Sequence, residues 1–332
     1  MKALIYLGPS KMAWRDEPDP VARPGEVLVR VEAVGICGSD MHAFHGMDER
    51  RPAPLILGHE AAGRVISGPR AGTRVTIDPL VTCGQCEVCR DGRSHLCKQR
   101  QIISMPPRAG AFAEIVPIPE INIVPIPDHL STIHAALAEP LAVSWHAVRR
   151  AVRASHRPIE DCRCLVIGGG AVGLGAALVL LHFGAKSVHL AEPNDRRRQT
   201  AAAANSKLTT FAPGDAREPA DNTLDVIIDA VGADATRTSA SRKIVPGGVI
   251  VHIGLLPGNG GIDVRKLTLQ EVTLTGSYCY THQDFVEVVE ALAAGHFGQI
   301  SWMEERPLSD GADAFRDLEG GVVAAAKIVL TA

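Results

Sequence analysis

The sequence lacks an excess of charge of either sign. Its 332 residues include 34 Lys and Arg against 37 Asp and Glu, which gives a formal net charge of −3. A protein that neutralises several phosphates needs clustered basic residues, so this balance argues against nucleic acid as a partner and against a polybasic membrane-surface protein. A hydrophobic content of 46% and a charged content of 21% are typical of a folded globular protein.

The first residues also lack the features of a secretory signal. Residues 1–14 contain no apolar segment after the lysine and no small-residue cleavage site. We therefore expect a cytoplasmic protein, in which clustered cysteines bind metal instead of forming disulfides. Residues 164–183 carry no formal charge over a length that could cross a bilayer. Because five glycines lie in that stretch, we expect a strand-to-helix turn there and no membrane span.

The pattern of the chain changes near residue 160, and no repeat or low-complexity segment is present. The first 147 residues alternate apolar and polar positions between frequent prolines and glycines, which predicts a β-rich region. Apolar runs without alternation then follow, separated by helical stretches, and this pattern predicts a doubly wound α/β domain with a buried parallel sheet. The predicted strands of the second region are 164–167, 187–191, 225–230 and 249–253, with a late helix at 284–294 and a last strand at 327–330.

Four of the eight cysteines fall in one short run with the spacing C-x2-C-x2-C-x7-C. Four thiolates so close in sequence can form a closed tetrahedral shell around zinc, which leaves no position for substrate and predicts a structural site. An iron–sulfur cluster or a set of redox-active thiols remains open as an alternative. The residues of this run are Cys83, Cys86, Cys89 and Cys97.

A second set of residues has the composition of an open metal site. Cys37 lies in G-I-C-G-S-D-M-H and His59 in G-H-E, and a catalytic zinc takes about three mixed ligands with one position left open. Glu139 lies in an apolar stretch, L-A-E-P-L, where a buried acid needs a partner. Each residue alone is equally compatible with ordinary packing or with the surface.

A glycine-rich turn follows the predicted strand 164–167 and precedes an apolar helix, which is the context of a dinucleotide-binding turn. Glu192 comes 24 residues after Gly168 at the end of the next strand, where an acid accepts both hydroxyls of an adenosine ribose and repels a 2′-phosphate. NAD is therefore favoured over NADP, although the arginines at 196–198 could accommodate a phosphate. The candidate cofactor residues are Gly168, Gly170, Ala171, Val172, Gly173, Glu192 and Arg197.

Taken in order, these motifs resemble those of the zinc-dependent medium-chain dehydrogenases, and the polyol (sorbitol) and threonine dehydrogenase branch more closely than the liver-type enzymes. The resemblance spans nearly the whole chain. It implies a discontinuous GroES-like catalytic domain, residues 1–147 and 282–332, around a Rossmann NAD-binding domain, residues 148–281. It also implies two zinc ions per chain, hydride transfer from a secondary alcohol of a polyol, sugar-derived or amino-alcohol type, and a homodimer or homotetramer.

The same resemblance implies roles for individual residues. Cys37, His59 and Glu139 would be the ligands of the catalytic zinc, with Glu60 able to coordinate or to exchange with water. Ser39 and His42 would form a proton relay, and Asp40 would orient His59. Lys327 resembles a basic residue near the cofactor pyrophosphate.

Three points stay open at this stage. A zinc-stabilised nucleotide-sensing protein without catalysis is the main alternative, and a zinc-free quinone reductase is a weaker one. Arg108 and His45 are candidates for the substrate pocket, but no residue identifies the substrate. Cys162, Cys164 and Cys279 are interpreted as packing residues, and the strand at 272–278 is expected to pair across a two-fold axis.

Overall fold

The computed structural model describes residues 1–332 and contains two main sheets. The first part of the chain is rich in short strands, as its alternating pattern predicts. Its elements are β1 (Lys2–Gly8), β2 (Lys11–Asp16), β3 (Glu26–Gly35), α1 (Gly38–Phe44), β4 (Leu55–Ile56), β5 (Glu60–Val65), β6 (Arg74–Ile77), β7 (Leu80–Val81), α2 (Glu87–Arg90), β8 (Gln101–Ile102), β9 (Ile115–Pro119), β10 (Ile123–Pro125), α3 (Thr132–Ala135) and α4 (Ala138–Ala154).

The second part alternates strands and helices, and the end of the chain returns to strands. The elements that follow α4 are β11 (Arg163–Ile167), α5 (Ala171–His182), β12 (Ser187–Ala191), α6 (Asp195–Ala204), β13 (Leu208–Phe211), β14 (Leu224–Asp229), α7 (Asp234–Lys243), β15 (Ile244–His252), α8 (Val264–Leu269), β16 (Thr273–Gly276), α9 (His282–Ala293), β17 (Met303–Pro307), α10 (Gly311–Glu319) and β18 (Lys327–Thr331). Short 3₁₀ turns lie at Ser94–Leu96, Glu120–Asn122, Ile159–Asp161 and Leu308–Asp310.

The first sheet is seven-stranded, in the order β10-β6-β5-β3-β18-β17, and β9 also pairs with β3. Its longest strand, β3, buries alternate side chains from Val27 to Val31, so one face packs on a core and the other meets solvent or loops. Strands β1, β2 and β4 form a separate three-stranded sheet beside it. Strands β5 and β6 pair antiparallel as a hairpin within the seven-stranded sheet.

The second sheet has six parallel strands in the order β13-β12-β11-β14-β15-β16. Counted along the chain this is the order 3-2-1-4-5-6 of a doubly wound dinucleotide fold, which places a ligand crevice at the carboxyl ends of β11 and β14. All residues of β14 are buried, as expected for a strand covered by helices on both faces. The predicted α/β architecture is therefore confirmed.

The C-terminal strand returns to the first sheet. β18 pairs antiparallel with β3 and parallel with β17, so the chain leaves the N-terminal region, builds the parallel sheet and comes back. The ends of the two domains, as given by the ranges 1–147, 148–281 and 282–332, stay predictions.

Strand β13 and helix α4 are among the elements that were not predicted from sequence. Strand β13 is only four residues long, and helix α4 begins with Ala138-Glu139-Pro140, where the proline looks like a helix breaker. Proline is tolerated in the first turn of a helix, because the backbone N–H it lacks would have no partner there anyway. No helix of the structure combines the length and the apolar composition that crossing a bilayer requires.

Candidate active site

The pairing of β3 with β5 brings the three mixed ligand types together. The register sets Gly35 opposite Glu60, so Cys37, two residues beyond the end of β3, comes next to His59 and Glu60 at the start of β5. A sulfur, an imidazole nitrogen and a carboxylate oxygen from these three residues all lie within 4.8 Å of one another. Two sequence segments separated by more than twenty residues thus form one donor set.

Asp40 fixes the orientation of the imidazole. Its fully buried carboxylate accepts hydrogen bonds from the backbone N–H groups of Cys37, at 3.0 Å, and Gly58, at 3.3 Å. Its Oδ1 also lies 3.5 Å from Nδ1 of His59, which leaves Nε2 as the nitrogen available to a metal. Burial alone would raise the pKa of Asp40, but the charges and hydrogen bonds around it outweigh burial and lower that pKa.

Glu60 lies in the same cluster with half of its carboxylate unpaired. Oε1 accepts a 2.6 Å hydrogen bond from the buried Lys327, whereas Oε2 is buried with no hydrogen-bond partner. The carboxylate fits against the backbone of Gly35 only because that residue has no Cβ, which would lie 2.0 Å from Oε2. A buried, unpartnered carboxylate oxygen beside a thiol and an imidazole is the donor set that suits a divalent cation.

Glu139 lies near this cluster but is held by a different partner. It is buried in the first turn of α4, and its Oε1 accepts a 2.9 Å hydrogen bond from the fully buried Tyr280. Burial raises the pKa of Glu139 to about 7. The structure therefore groups Glu60 with Cys37 and His59, in the place where the resemblance implies Glu139 as the third ligand.

The two residues of the expected proton relay lie three positions apart on α1, so they share one face of that helix. Ser39 and His42 are both half-buried. The hydroxyl of Ser39 accepts a hydrogen bond from Arg51 at 3.3 Å. Sequence reasoning missed Arg51, because it lies in the charged run E-R-R, which resembles an exposed loop.

The four cysteines of the short run form a compact cluster of sulfurs. The Sγ atoms are 3.4 Å apart for Cys86 and Cys89, 3.5 Å for Cys97 and Cys83, 3.8 Å for Cys86 and Cys97, and 3.9 Å for Cys83 and Cys89. A tetrahedral shell with zinc–sulfur bonds of about 2.3 Å has sulfurs about 3.8 Å apart. All four cysteines are free, so the cluster fits one zinc ion and not a disulfide pair.

The thiols of this cluster differ in acidity because their surroundings differ. Backbone N–H groups of Gln85 and Cys86 lower the pKa of Cys83 to about 6. Burial and the neighbouring sulfurs raise the pKa of Cys89 to about 12. Four thiols at these distances cannot all ionise unless a positive charge lies among them, and a bound metal supplies that charge.

The glycine turn connects β11 to α5, where the sequence predicts it. A Cβ at Gly173 would lie 1.9 Å from the carbonyl oxygen of Gly168, so only glycine lets the helix pack this closely on the turn. Ala171 and Val172 form the first turn of α5 behind Gly170, and their backbone N–H groups lie at a helix N-terminus, where an anion is stabilised. The turn thus fits a pyrophosphate.

Glu192 is buried at the end of β12 and faces this turn. Its carboxylate accepts hydrogen bonds from the N–H groups of Gly169 and Asn194, each at 2.8 Å, and Nη2 of Arg197 lies 3.3 Å away. The neighbouring arginines bind elsewhere: Arg196 donates to the carbonyl oxygen of Val322, and Arg198 donates to the carbonyl oxygen of Glu192. Only Arg197 contacts the Glu192 carboxylate with its side chain.

Three other candidates have partners that the sequence did not suggest. Lys327 donates to Glu60 and to the carbonyl oxygen of Ile36, at 2.8 Å, so it lies at the thiol–imidazole cluster and not at the glycine turn. Arg108 forms a 2.8 Å ion pair with Glu26. His45 lies 3.1 Å from the carboxylate of Glu319. Their sequence positions gave no sign of these distant partners.

Comparison with known protein families matches two parts of the chain. Residues 23–128 match the alcohol dehydrogenase GroES-like domain, and residues 171–294 match the zinc-binding dehydrogenase domain. Together the two matches cover most of the chain and include all the metal-ligand candidates except Glu139, which lies between them.

Individual proteins support the same relationship. The chain is 32% identical over 308 residues to L-galactonate-5-dehydrogenase of Escherichia coli, covering 89% of this chain and 88% of that protein. It is 31% identical over 314 residues to sorbitol dehydrogenase of Bacillus subtilis, covering 89% and 86%. Among solved structures, an alcohol dehydrogenase from Escherichia coli in complex with NADH has a TM-score of 0.89 at 25% identity, covering 100% of this chain and 99% of that one.

Proposed function

The chain belongs to the zinc-dependent medium-chain alcohol dehydrogenases, and on that premise we propose that it oxidises a secondary alcohol of a polyol, sugar-derived compound or amino alcohol to the ketone and reduces NAD. The observation that carries the proposal is the set of Cys37, His59 and Glu60 donor atoms within 4.8 Å of one another. The related galactonate and sorbitol dehydrogenases favour an enzyme over a nucleotide sensor without catalysis.

The residues fit two zinc ions per chain. Cys37, His59 and Glu60, with Glu139 as an exchanging carboxylate, would hold the catalytic ion, and the four clustered cysteines would hold the structural one. When bound, the catalytic zinc supplies a Lewis acid that lowers the pKa of a hydroxyl group towards neutrality. Lys327 would act at this site by holding the Glu60 carboxylate in place, since it donates a 2.6 Å hydrogen bond to Glu60 Oε1.

The protein itself carries the proton. Ser39 would accept the proton of the substrate hydroxyl and pass its own proton on, and His42, one turn further along the same face of α1, would release it to solvent. An imidazole suits this last position because it gains and loses a proton near neutral pH. NAD, when bound, would supply the acceptor for a hydride from the carbinol carbon, so that the alcohol would be oxidised and NAD reduced.

NAD is proposed as the cofactor in preference to NADP. Glu192 is 3% exposed, and three donors hold its carboxylate at the end of β12, where the adenosine ribose of a dinucleotide lies in this fold. The carboxylate of Glu192 would repel the 2′-phosphate of NADP at this position. Arg197 is occupied by Glu192, so its charge is already partly neutralised.

We also propose that the molecule is a homodimer or a homotetramer. Strand β16 is the open edge of the six-stranded sheet, and exposed apolar side chains lie on it and on the preceding segment. Light scattering should give a mass of two or four chains, and Leu274→Lys on β16 should reduce it. A monomeric wild-type protein would contradict this assembly. The exposed apolar residues are Leu255, Leu256, Val264, Leu269 and Leu274.

We propose a cytoplasmic location on the basis of the cysteines. All eight cysteines are free, and the four proposed as ligands of the structural zinc must stay reduced to bind it.

The experiment that tests the function is a substrate panel. Polyols, sugar acids and amino alcohols would be assayed with NAD and with NADP by the absorbance of the reduced nicotinamide at about 340 nm. We expect at least one secondary alcohol to be oxidised with NAD, and chelation of the metal to abolish the rate. A protein that binds NADH but holds only one zinc ion tightly per chain and oxidises none of the panel would favour the sensing alternative.

A further inference from the structure

Arg51 is buried beneath the candidate active site and has a partner for each of its donors. Its side chain is 1% exposed, and a guanidinium has five N–H groups. Nε donates to the carbonyl oxygen of Ser104, and Nη1 donates to the carbonyl oxygen of Ser39 and to Asp48. Nη2 donates to the hydroxyl groups of Ser39 and Ser104, at 3.3 and 3.5 Å. A permanent cation is thus placed one hydrogen bond away from the serine of the proton relay.

The charge of Arg51 is only partly compensated. Asp48 accepts a 2.6 Å hydrogen bond from it but also binds the exposed Arg50, so the three residues together carry one net positive charge. Partial burial would raise the pKa of Asp48, but hydrogen bonds from Arg50 and the charge of Arg51 lower it to about 2. The group therefore stays charged over the whole pH range in which a dehydrogenase works.

The second serine shows how firmly Arg51 holds this region. Ser104 is fully buried and has a φ of 72°, a left-handed conformation that is uncommon for a residue with a side chain. Its hydroxyl lies 3.5 Å from Nδ1 of His59. Backbone strain of this kind persists where the surroundings fix it, and it clusters at functional sites. Arg51 fixes both the carbonyl oxygen and the hydroxyl of this residue.

The hydrogen-bonding capacity of Ser39 explains what the guanidinium would do. A serine hydroxyl has one proton to donate and two lone pairs that accept. Because Arg51 occupies one lone pair, Ser39 keeps one acceptor and one donor. That is the smallest set that can take a proton from the substrate and hand on another, and it excludes the orientation in which the hydroxyl proton points back at Arg51.

We propose that Arg51 is a positioning residue for proton transfer, which orients the Ser39 hydroxyl so that its free lone pair meets the substrate hydroxyl and its proton is directed onward. The proposal rests on the dehydrogenase function proposed above. In the step itself the substrate O–H bond breaks and a new O–H bond forms at Ser39 Oγ. The original Ser39 proton leaves in the direction of His42, so the protonation of Ser39 is unchanged over the cycle.

A double-mutant cycle tests whether Arg51 acts through Ser39. Arg51→Met keeps an unbranched, largely apolar side chain and removes every donor, and it should lower kcat by roughly 10- to 100-fold with little effect on the KM for NAD. In a Ser39→Ala background the same substitution should lower kcat by less than about twofold, since the hydroxyl it orients is gone. The matched control is Arg50→Met, which loses a contact to the same Asp48 and should stay within about twofold of the wild type.

Two further measurements separate positioning from support of the fold. The solvent deuterium isotope effect on kcat should increase in Arg51→Met, because proton transfer then limits the rate, whereas a merely weakened fold leaves it unchanged. Zinc content should stay at two ions per chain, and NADH binding should be retained. Arg51→Lys keeps the charge and should recover part of the lost rate. If Arg51→Met does not fold, Arg51→Lys in the wild-type and Ser39→Ala proteins tests instead whether Arg51 acts through Ser39.

Several outcomes would overturn the proposal. Equal losses of kcat in the Ser39 and Ser39→Ala backgrounds would mean that Arg51 acts independently of the hydroxyl. A loss of zinc, or a lower melting temperature with unchanged kcat and isotope effect, would make Arg51 a structural brace. A wild-type protein without dehydrogenase activity would refute the proposed function itself, which distinguishes that failure from failure of the role of Arg51.

Discussion

At the scale of single residues, buried polar atoms determine which side chains are functional. Glu60 has one oxygen on Lys327 and one with no partner, and Cys37 and His59 lie beside the unpaired oxygen. An unsatisfied buried carboxylate oxygen is costly in a protein that binds nothing there, and it becomes favourable when a cation is bound. The unpaired oxygen of Glu60 and the other two donors that could share a cation with it thus lie within one small cluster.

Replacing Cys37 should therefore remove catalysis without removing the fold. Cys37→Ser is expected to reduce turnover to below detection and zinc content from two ions to one per chain. The reason is that a serine hydroxyl is a much poorer zinc ligand than the cysteine thiolate it replaces. NADH binding, measured by fluorescence, should persist. Cys162→Ser, at a buried cysteine far from the cluster, is the control and should keep its activity. A Cys37→Ser enzyme with a near-normal rate would exclude a zinc role for this residue.

Replacing Glu192 should change the choice of cofactor. Glu192→Gln removes the negative charge that a 2′-phosphate would meet and leaves Arg197 free to pair with that phosphate. Because a hydrogen bond to a charged group contributes about 1.5–3 kcal/mol, we expect the ratio of kcat/KM for NADP to that for NAD to rise roughly 10- to 100-fold. An unchanged ratio would place the adenosine ribose elsewhere.

At the scale of elements, local motifs could be predicted from the sequence and distant contacts could not. The cysteine run and the glycine turn each fall within about fifteen residues, so spacing alone predicts a thiol cluster and a strand-to-helix turn, and the structure has both. The burial of Arg51 and the contact of Lys327 with Glu60 depend on how separate segments pack. No spacing in the sequence encodes either, and the resemblance suggested a different partner for Lys327.

The short segment that contains α2 and the four thiols should contribute to stability and not to chemistry. Cys97 is the buried member of the cluster, and Cys97→Ser would open the closed shell. We expect a loss of at least about 2 kcal/mol, which corresponds to roughly 3 °C in melting temperature for a chain of 332 residues. The rate per folded molecule, measured well below the transition, should change by less than about threefold. A large loss of kcat with an unchanged melting temperature would contradict this division of roles.

At the scale of the whole molecule, the segment between β16 and α9 connects the parallel sheet to the first sheet and the catalytic cluster. The ring of Tyr278 lies 4.9 Å beneath the guanidinium of Arg100, and Tyr280 donates to Glu139. His282 forms a 2.8 Å contact with Asp78, which follows β6. This segment therefore contributes Tyr280 to the candidate active site.

The contact between His282 and Asp78 should make stability depend on pH. The hydrogen bond that His282 donates to the carboxylate of Asp78 raises the pKa of His282 above its ordinary value of 6.5. The pair therefore contributes its full stability below pH 6.5 and loses it as the pH rises through the raised pKa of the folded state. Since the imidazole is nearly half exposed, the effect should be below about 1 kcal/mol.

Melting temperatures of the wild type and of His282→Gln measure this effect. The wild type should be the more stable of the two at pH 6, and the difference should shrink towards pH 9. His134→Gln, at a half-buried histidine on α3, is the control and should show no such trend. A difference that grows with pH would have the wrong sign for this pair.

The spacing of the three contacts between β16 and α9 also constrains the length of the chain. Tyr278, Tyr280 and His282 bind three separate partners within five residues, and an added residue displaces an extended chain by about 3.3 Å. A single insertion between Tyr278 and His282 would therefore change the spacing between these partners, even if every side chain were retained. Among homologues we expect this segment to vary in composition but not in length.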